Sequence, residues 1–116
     1  RRLDDELRAA AGHAGEVVET SDSDLERLDV HPWAGPRSLA LWLPREVAAL
    51  GARSNAALLA DGVRLRPTTV TAADVVADER ARGLERERAS GLTRAEERDV
   101  LAALAHGLPD RSTVHR

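Results

Sequence analysis

The spacing of apolar positions predicts two short helices in the first third of the chain. In residues 3–11 apolar side chains recur every three or four positions, acidic residues occupy the first turn and Gly12 follows the last turn. This pattern is typical of an amphipathic helix and its stop signal. Ser21 has the position of an N-cap for a brief second helix, in which Leu25 and Leu28 are expected to face inward.

Three further helices are predicted in the second half of the chain. Ser54 is expected to cap a helix over residues 55–60, and Gly62 to end it in a left-handed conformation. Thr71 is expected to cap a helix that runs through Arg82. A last helix begins at Thr93, which forms a capping-box pattern with Glu96 and precedes Val100, Leu101, Leu104 and Leu108 on one face.

Strand-like segments are short, and we expect only stubs at residues 16–19 and 63–65. Residues 29–44 hold three prolines and both tryptophans, which predicts an ordered loop because proline fixes φ and lacks a backbone donor. Two or three stubs cannot form a free-standing sheet, and they are expected to extend a sheet elsewhere. The predicted class is α/β, as an α+β fragment of four or five short helices and few strands.

The composition predicts one small domain with a thin core. The chain of 116 residues has 16 Leu, 10 Val and 21 Ala, but no Ile, Phe, Met or Tyr. Alanine buries little area, and burial is worth roughly 25 cal/mol per Å². We therefore expect marginal stability and a need for a partner surface. Residues 1–108 are expected to form the domain, and residues 109–116 a disordered tail.

Charge and missing residue types exclude several classes of function. All 17 basic residues are Arg, the net charge is −3 and both signs are spread along the chain, which argues against nucleic acid as a partner. The absence of Cys excludes disulfides and cysteine-based zinc sites, and the four histidines have no metal-ligand spacing. No apolar run approaches the roughly 20 residues that span a bilayer, so we expect no membrane partner and a cytoplasmic location.

A few side chains are candidates for binding. Trp33 and Trp42 can line a ligand pocket, as aromatic residues often do, or they are simply the largest core residues available. Arg64 and Arg66 can clamp a carboxylate or phosphate, or they lie on a solvated strand edge. Gly12 and Gly15 follow a helix rather than a strand, so they do not form the glycine turn that seats a dinucleotide.

Several motifs resemble, in the same order, the C-terminal half of a known enzyme family. Residues 29–44 read DVHPWAGPRSLALWLP and residues 53–67 read RSNAALLADGVRLRP. Residues 70–83 are similar to the helix that follows in that family, and residues 91–104 to its terminal helix. The family is the NAD-dependent epimerase/dehydratase-like reductases of the extended short-chain dehydrogenase/reductase type, in the isoflavone-reductase-like group.

The resemblance implies the substrate-binding lobe of an extended Rossmann-type enzyme. In the family a Rossmann domain binds NAD(P) and supplies a catalytic Tyr-x-x-x-Lys motif, which this chain cannot contain because it has neither residue type. The chain alone is therefore expected to be inactive and to bind no cofactor. The expected partners are a Rossmann domain, in the same parent chain or a separate subunit, and a small-molecule substrate.

The expected substrate site lies on the proline-rich loop and the segment after it. Its candidate residues are Trp33, Trp42, Arg53, Asn55 and Arg64. No residue is expected to be catalytic or to bind a metal. The sequence leaves open whether the chain is a fragment, one subunit of a split protein or a decayed copy, and a non-enzymatic helical interaction domain is the alternative function.

Overall fold

The structure, a computed structural model, describes residues 3–108. It is helix-rich, with one two-stranded parallel sheet. The elements in chain order are α1 (Leu3–Ala11), α2 (Asp22–Arg27), β1 (His31–Pro32), β2 (Ser38–Leu39), a 3₁₀ helix (Arg45–Gly51), α3 (Ala56–Ala60), α4 (Thr68–Arg82) and α5 (Arg94–His106). The coarse prediction of a mixed, mainly helical chain is confirmed, whereas the 3₁₀ helix was not predicted.

The described residues divide into two compact units. The first unit contains residues 3–17 and 52–87, and the second contains residues 18–51 and 88–108. The predicted tail, residues 109–116, lies outside the described residues.

Helices α1 and α4 pack against each other in the first unit. Helix α1 has the predicted bounds. It ends at Gly12, whose φ of +66° is left-handed and whose N–H donates to the Ala9 carbonyl at 3.3 Å. Among the described residues of this unit, Ala72 is the buried hydrophobic side chain.

Helix α4 begins four residues before the start that a cap at Thr71 predicts. Pro67 occupies the N-cap position with an extended ψ of 135°, and its carbonyl accepts from the N–H groups of Val70 and Thr71. A cap at Thr71 was therefore wrong, because Thr71 already lies in the first turn. The C-terminal prediction is confirmed, since α4 ends at Arg82 and is followed by Gly83 with a φ of +96°.

Helix α3 agrees with its prediction to within one residue. The Ser54 hydroxyl accepts from the Ala56 N–H at 3.1 Å, and Asn55 occupies the N-cap position without a side-chain bond. Gly62 follows with a φ of +85°.

The two predicted strand stubs are wrong. Residues 16–19 and 63–65 have no regular secondary structure. Val17 and Val18 are each 45% exposed. A strand needs a neighbour for its backbone groups, and neither segment pairs with another within the described residues.

The second unit has its core between α2 and α5. Leu25, Val30 and Val100 are buried together. Other side chains pack partly buried against them: Leu28, Leu39, Trp42, Leu92 and Leu104. The predicted inward face of α5 is correct at Val100 and wrong at Leu101, which is 41% exposed.

The caps of both helices in this core are as predicted. The Ser21 hydroxyl accepts from the Asp24 N–H at the start of α2. At the start of α5, Thr93 and Glu96 form both bonds of a capping box. These bonds satisfy N–H groups that a helix start leaves without an intrahelical acceptor.

Candidate functional site

The candidate site is built on the connection between β1 and β2. The parallel register pairs His31 with Ser38 and Pro32 with Leu39. Parallel strands usually need a crossover of a dozen or more residues, but here residues 33–37, which we name the Trp33 loop, turn the chain back.

The tight turn depends on left-handed backbone conformations. Trp33 has a φ of +69°, Gly35 of +89° and Arg37 of +53°. Glycine adopts such values freely, whereas other residues are disfavoured by contact between Cβ and the backbone, at about 1–2 kcal/mol each. The Trp33 loop is therefore strained at two residues, and the strain persists only if surrounding contacts hold the loop.

Ser38 provides one set of those contacts. It is 1% exposed, and its hydroxyl donates to the Gly35 carbonyl at 2.7 Å while accepting from the Gly91 N–H at 3.0 Å. The Gly91 N–H also approaches the Gly35 carbonyl at 3.2 Å. Because Ser38 is buried, water cannot easily replace these bonds.

The segment before α5 provides a second set. The Ser90 hydroxyl accepts from the Gly35 N–H at 2.9 Å, and Pro36 forms a parallel bridge with Gly91. The Ser38 N–H donates to the Gly91 carbonyl at 3.4 Å. Residues more than fifty positions away thus fix the Trp33 loop.

The charged side chains around the Trp33 loop are engaged in local contacts. The Arg37 guanidinium donates to the Leu28 carbonyl from Nε at 3.2 Å and from Nη2 at 2.9 Å. His31 Nε2 lies 3.6 Å from the Asp29 carboxylate, and both side chains are largely exposed. Arg37 consequently holds the loop to the end of α2, and the exposed His31–Asp29 contact adds little stability.

Trp33 is left at the surface by this arrangement. It is 63% exposed, although it is one of the two largest side chains in the protein. A tryptophan on a fixed loop gives a large apolar contact area that costs little entropy to order on binding. Such residues are enriched among those that dominate binding energy.

Trp42 has a different environment. It packs partly buried against the core that contains Leu25, Val30 and Val100. Its Nε1–H donates to Asp22 Oδ1 at 2.9 Å. Trp42 therefore contributes to the core, and its polar N–H is satisfied by a carboxylate of α2.

The remaining predicted site residues lie in the first unit. Arg53 and Asn55 are exposed just before α3, and Arg64 is exposed between α3 and α4. The structure thus places the two tryptophans in the second unit and these three polar residues in the first. That all five line one pocket stays a prediction.

The second unit also has an open polar concavity of about 610 Å³. Its lining contains carboxylates and hydroxyls, with one arginine and neither tryptophan: Thr20, Ser21, Asp22, Ser23, Glu26, Arg45 and Glu46. Three carboxylates against one guanidinium give a negative lining, which disfavours the phosphates of a nucleotide.

Arg66 and Arg86 of the first unit form ion pairs that the sequence did not reveal. Arg66, predicted as half of an anion clamp, bonds the Asp74 carboxylate. Arg86 donates from Nη1 and Nη2 to both carboxylate oxygens of Glu79 at 2.9 and 2.7 Å. These hydrogen bonds from Glu79 raise the pKa of Arg86 above its ordinary value, so the guanidinium stays charged.

The sequence analysis missed the residues that fix the Trp33 loop. Ser38, Ser90 and Gly91 have no local pattern that would identify them, because their bonds join segments 53 or 55 positions apart. Positive φ at the non-glycine residue Arg37 was equally invisible. Only the adjacent Gly35 and Pro36 indicated a turn.

No family model, curated protein or solved structure matches this chain. Within residues 3–108, no three His, Asp or Glu side chains are placed to hold a metal ion. In the same part of the chain, no helix has the length and apolar character needed to cross a membrane.

Proposed function

We propose that this chain is the substrate-binding portion of an NAD(P)-dependent reductase or epimerase. Its role is to hold the substrate and exclude water, while a Rossmann partner binds the dinucleotide and supplies the catalytic Tyr and Lys. The observation that carries the proposal is Trp33, a large indole that is 63% exposed on a strained and firmly held loop. The motifs in residues 29–44 and 53–67 occur in the same order as in the reductase family that they resemble, and this supports the same assignment.

The division of labour follows from the residues that are present. The chain contains no Tyr and no Lys, and its candidate contacts are an indole, guanidinium groups and an amide. These groups can orient a substrate and shield it from water. Proton and hydride transfer are assigned to the partner.

A kinetic test separates substrate contact from packing. In the chain assembled with its Rossmann partner, Trp33→Ala is expected to lower kcat/KM more than tenfold, about 1.4 kcal/mol of transition-state binding. Leu41→Ala is the matched control, because Leu41 is also a large apolar side chain and is 77% exposed. Equal effects of the two substitutions, or no effect of either, would refute the assignment of Trp33.

The alternative is a non-enzymatic interaction domain, and the surface of the first unit favours it. Many of that unit's large apolar side chains are exposed: Leu3, Leu7, Val17, Leu58, Leu59, Val63, Leu65, Val70, Val75 and Leu84. Single exposed apolar residues are normal on a protein surface and need no explanation. So many in one small unit favour a surface that another molecule covers. The reading frame before the codon for Arg1 discriminates the two functions. A strand with a glycine-rich turn and a later Tyr-x-x-x-Lys supports the enzyme, and their absence from that frame and from neighbouring genes supports the alternative.

A further inference from the structure

We infer that Ser38, Ser90 and Gly91 are positioning residues that hold the backbone of the Trp33 loop and so present the Trp33 indole at one place on the surface for binding. The inference rests on the proposed function only for the ligand that Trp33 contacts. The contacts that fix the Trp33 loop lie within this chain and do not depend on that function.

The backbone conformation of the Trp33 loop depends on contacts with residues that are distant in the sequence. Two residues of the loop, Trp33 and Arg37, adopt left-handed conformations that non-glycine residues disfavour. Left alone, such a loop would relax to other conformations. Its tip is held at Gly35, whose N–H donates to Ser90 and whose carbonyl accepts from Ser38.

The N–H and the carbonyl of Gly35 are bonded by two serines that differ in exposure. Ser38 is buried, whereas Ser90 is exposed. Gly91 joins the two sets, because its N–H donates to Ser38 Oγ and its carbonyl accepts from the Ser38 N–H. Its φ of +106° disfavours any residue with a Cβ at this position.

A loop whose backbone is already fixed lowers the entropic cost of binding. Ordering a mobile side chain and loop on binding costs conformational entropy. A loop that is already ordered avoids that cost, so strain kept in the free protein contributes to affinity.

The test measures the mobility of Trp33 with Trp42 as an internal reference. The full chain is labelled with 5-fluorotryptophan, and the two fluorine NMR signals are assigned with Trp33→Phe. In the unmodified chain, the Trp33 signal is expected to be much broader than that of free 5-fluorotryptophan, because the loop backbone is held. In Ser90→Ala it is expected to narrow by roughly half as the side chain gains fast motion, while the Trp42 signal is unchanged.

Control variants separate positioning from stability. Ser90→Thr keeps the hydroxyl acceptor and is expected to restore the broad Trp33 signal. Ser54→Ala removes a serine hydroxyl from the start of α3 in the first unit, and it is expected to affect neither signal. Ser38→Ala is expected to act like Ser90→Ala, and if it unfolds the chain the exposed Ser90 still provides the test.

Three results would overturn the inference. They are a Trp33 signal in the unmodified chain as narrow as that of free 5-fluorotryptophan, an unchanged signal in Ser90→Ala, or no restoration in Ser90→Thr. Since the measurement needs neither cofactor nor substrate, it can succeed where the proposed function fails. The kinetic test of Trp33→Ala decides the proposed function separately.

Discussion

The two tryptophans lie nine positions apart in the sequence and have different environments in the structure. Trp42 contacts the core and donates to Asp22, whereas the Trp33 indole is mostly in solvent. Both stand near prolines and apolar residues in the sequence, so the local pattern left a pocket and a core role open for each. The structure distinguishes their burial, which depends on segments far away in the chain, and a substrate-binding role stays a prediction.

Substitution of each tryptophan by alanine is expected to separate the two roles in stability. Trp42→Ala should lower the free energy of unfolding by about 3 kcal/mol, because it removes core packing from a half-buried aromatic residue. Trp33→Ala should change it by less than about 0.5 kcal/mol, as is usual at exposed positions. Urea unfolding followed by circular dichroism measures both.

A further variant isolates the backbone strain at Trp33. Trp33→Gly should be more stable than Trp33→Ala by roughly 1 kcal/mol, because glycine adopts a positive φ without the Cβ contact. A glycine variant less stable than the alanine variant would show that residue 33 does not have a left-handed backbone in solution.

At the scale of single elements, a helix start can be predicted from the sequence where a side chain caps its first turn. Helix α5 begins at a complete capping box of Thr93 and Glu96. Thr93→Ala should lower the free energy of unfolding by about 1 kcal/mol, since it leaves a first-turn N–H without its side-chain acceptor. The measurement is the urea midpoint at constant m-value.

Thr71→Ala is the matched control for this cap. The sequence predicts Thr71 as an N-cap, but the structure places it inside α4. Alanine is the better residue in a helix interior, so the substitution should be neutral or slightly stabilising. A loss as large as that of Thr93→Ala would mean that α4 begins at Thr71 after all.

The sequence predicted helices well and strands poorly, for a physical reason. Helices α1, α2 and α5 have their signals within a few residues, as caps, apolar spacing and a following glycine. Strand pairing is non-local, and β1 and β2 use Pro32 and Ser38 rather than β-branched residues. The valines at 17 and 18 have the right propensity but no neighbouring strand in the described residues. Propensity without a partner does not make a strand.

The end of α4 is held by an ion pair that gives an element-scale prediction. Arg86 binds both oxygens of Glu79, and its Nη1 also donates to the Gly83 carbonyl at 3.2 Å. Lysine keeps the charge but not the bidentate geometry. Arg86→Lys should therefore speed amide hydrogen exchange in the last turn of α4 several-fold.

Arg80→Lys on the same helix is the control for this exchange measurement. Arg80 is exposed, and its replacement should leave exchange in the last turn unchanged. Similar acceleration in both variants would attribute the effect to a general loss of helix stability rather than to the Arg86–Glu79 pair.

At the scale of the whole molecule, the burial pattern predicts low stability. The buried hydrophobic side chains among the described residues are Leu25, Val30 and Val100 in one unit and Ala72 in the other. So small a core offsets little of the conformational entropy lost on folding. The purified chain should unfold at low temperature, as measured by calorimetry. A sharp transition above about 65 °C, beyond the usual mesophilic range, in a demonstrated monomer would contradict this.

The last prediction concerns the whole chain as a ligand-binding molecule. We expect the isolated chain to bind neither NADH nor NADPH, because a dinucleotide site needs a strand, a glycine-rich turn and a helix whose N–H groups hold the pyrophosphate. Here Gly12 follows a helix, and the concavity of the second unit has a negative lining. Calorimetric titration to millimolar ligand should give no saturable heat, with a Rossmann dehydrogenase as positive control. A micromolar dissociation constant would show that the chain forms a nucleotide site of its own, and the division of labour with a Rossmann partner would then be wrong.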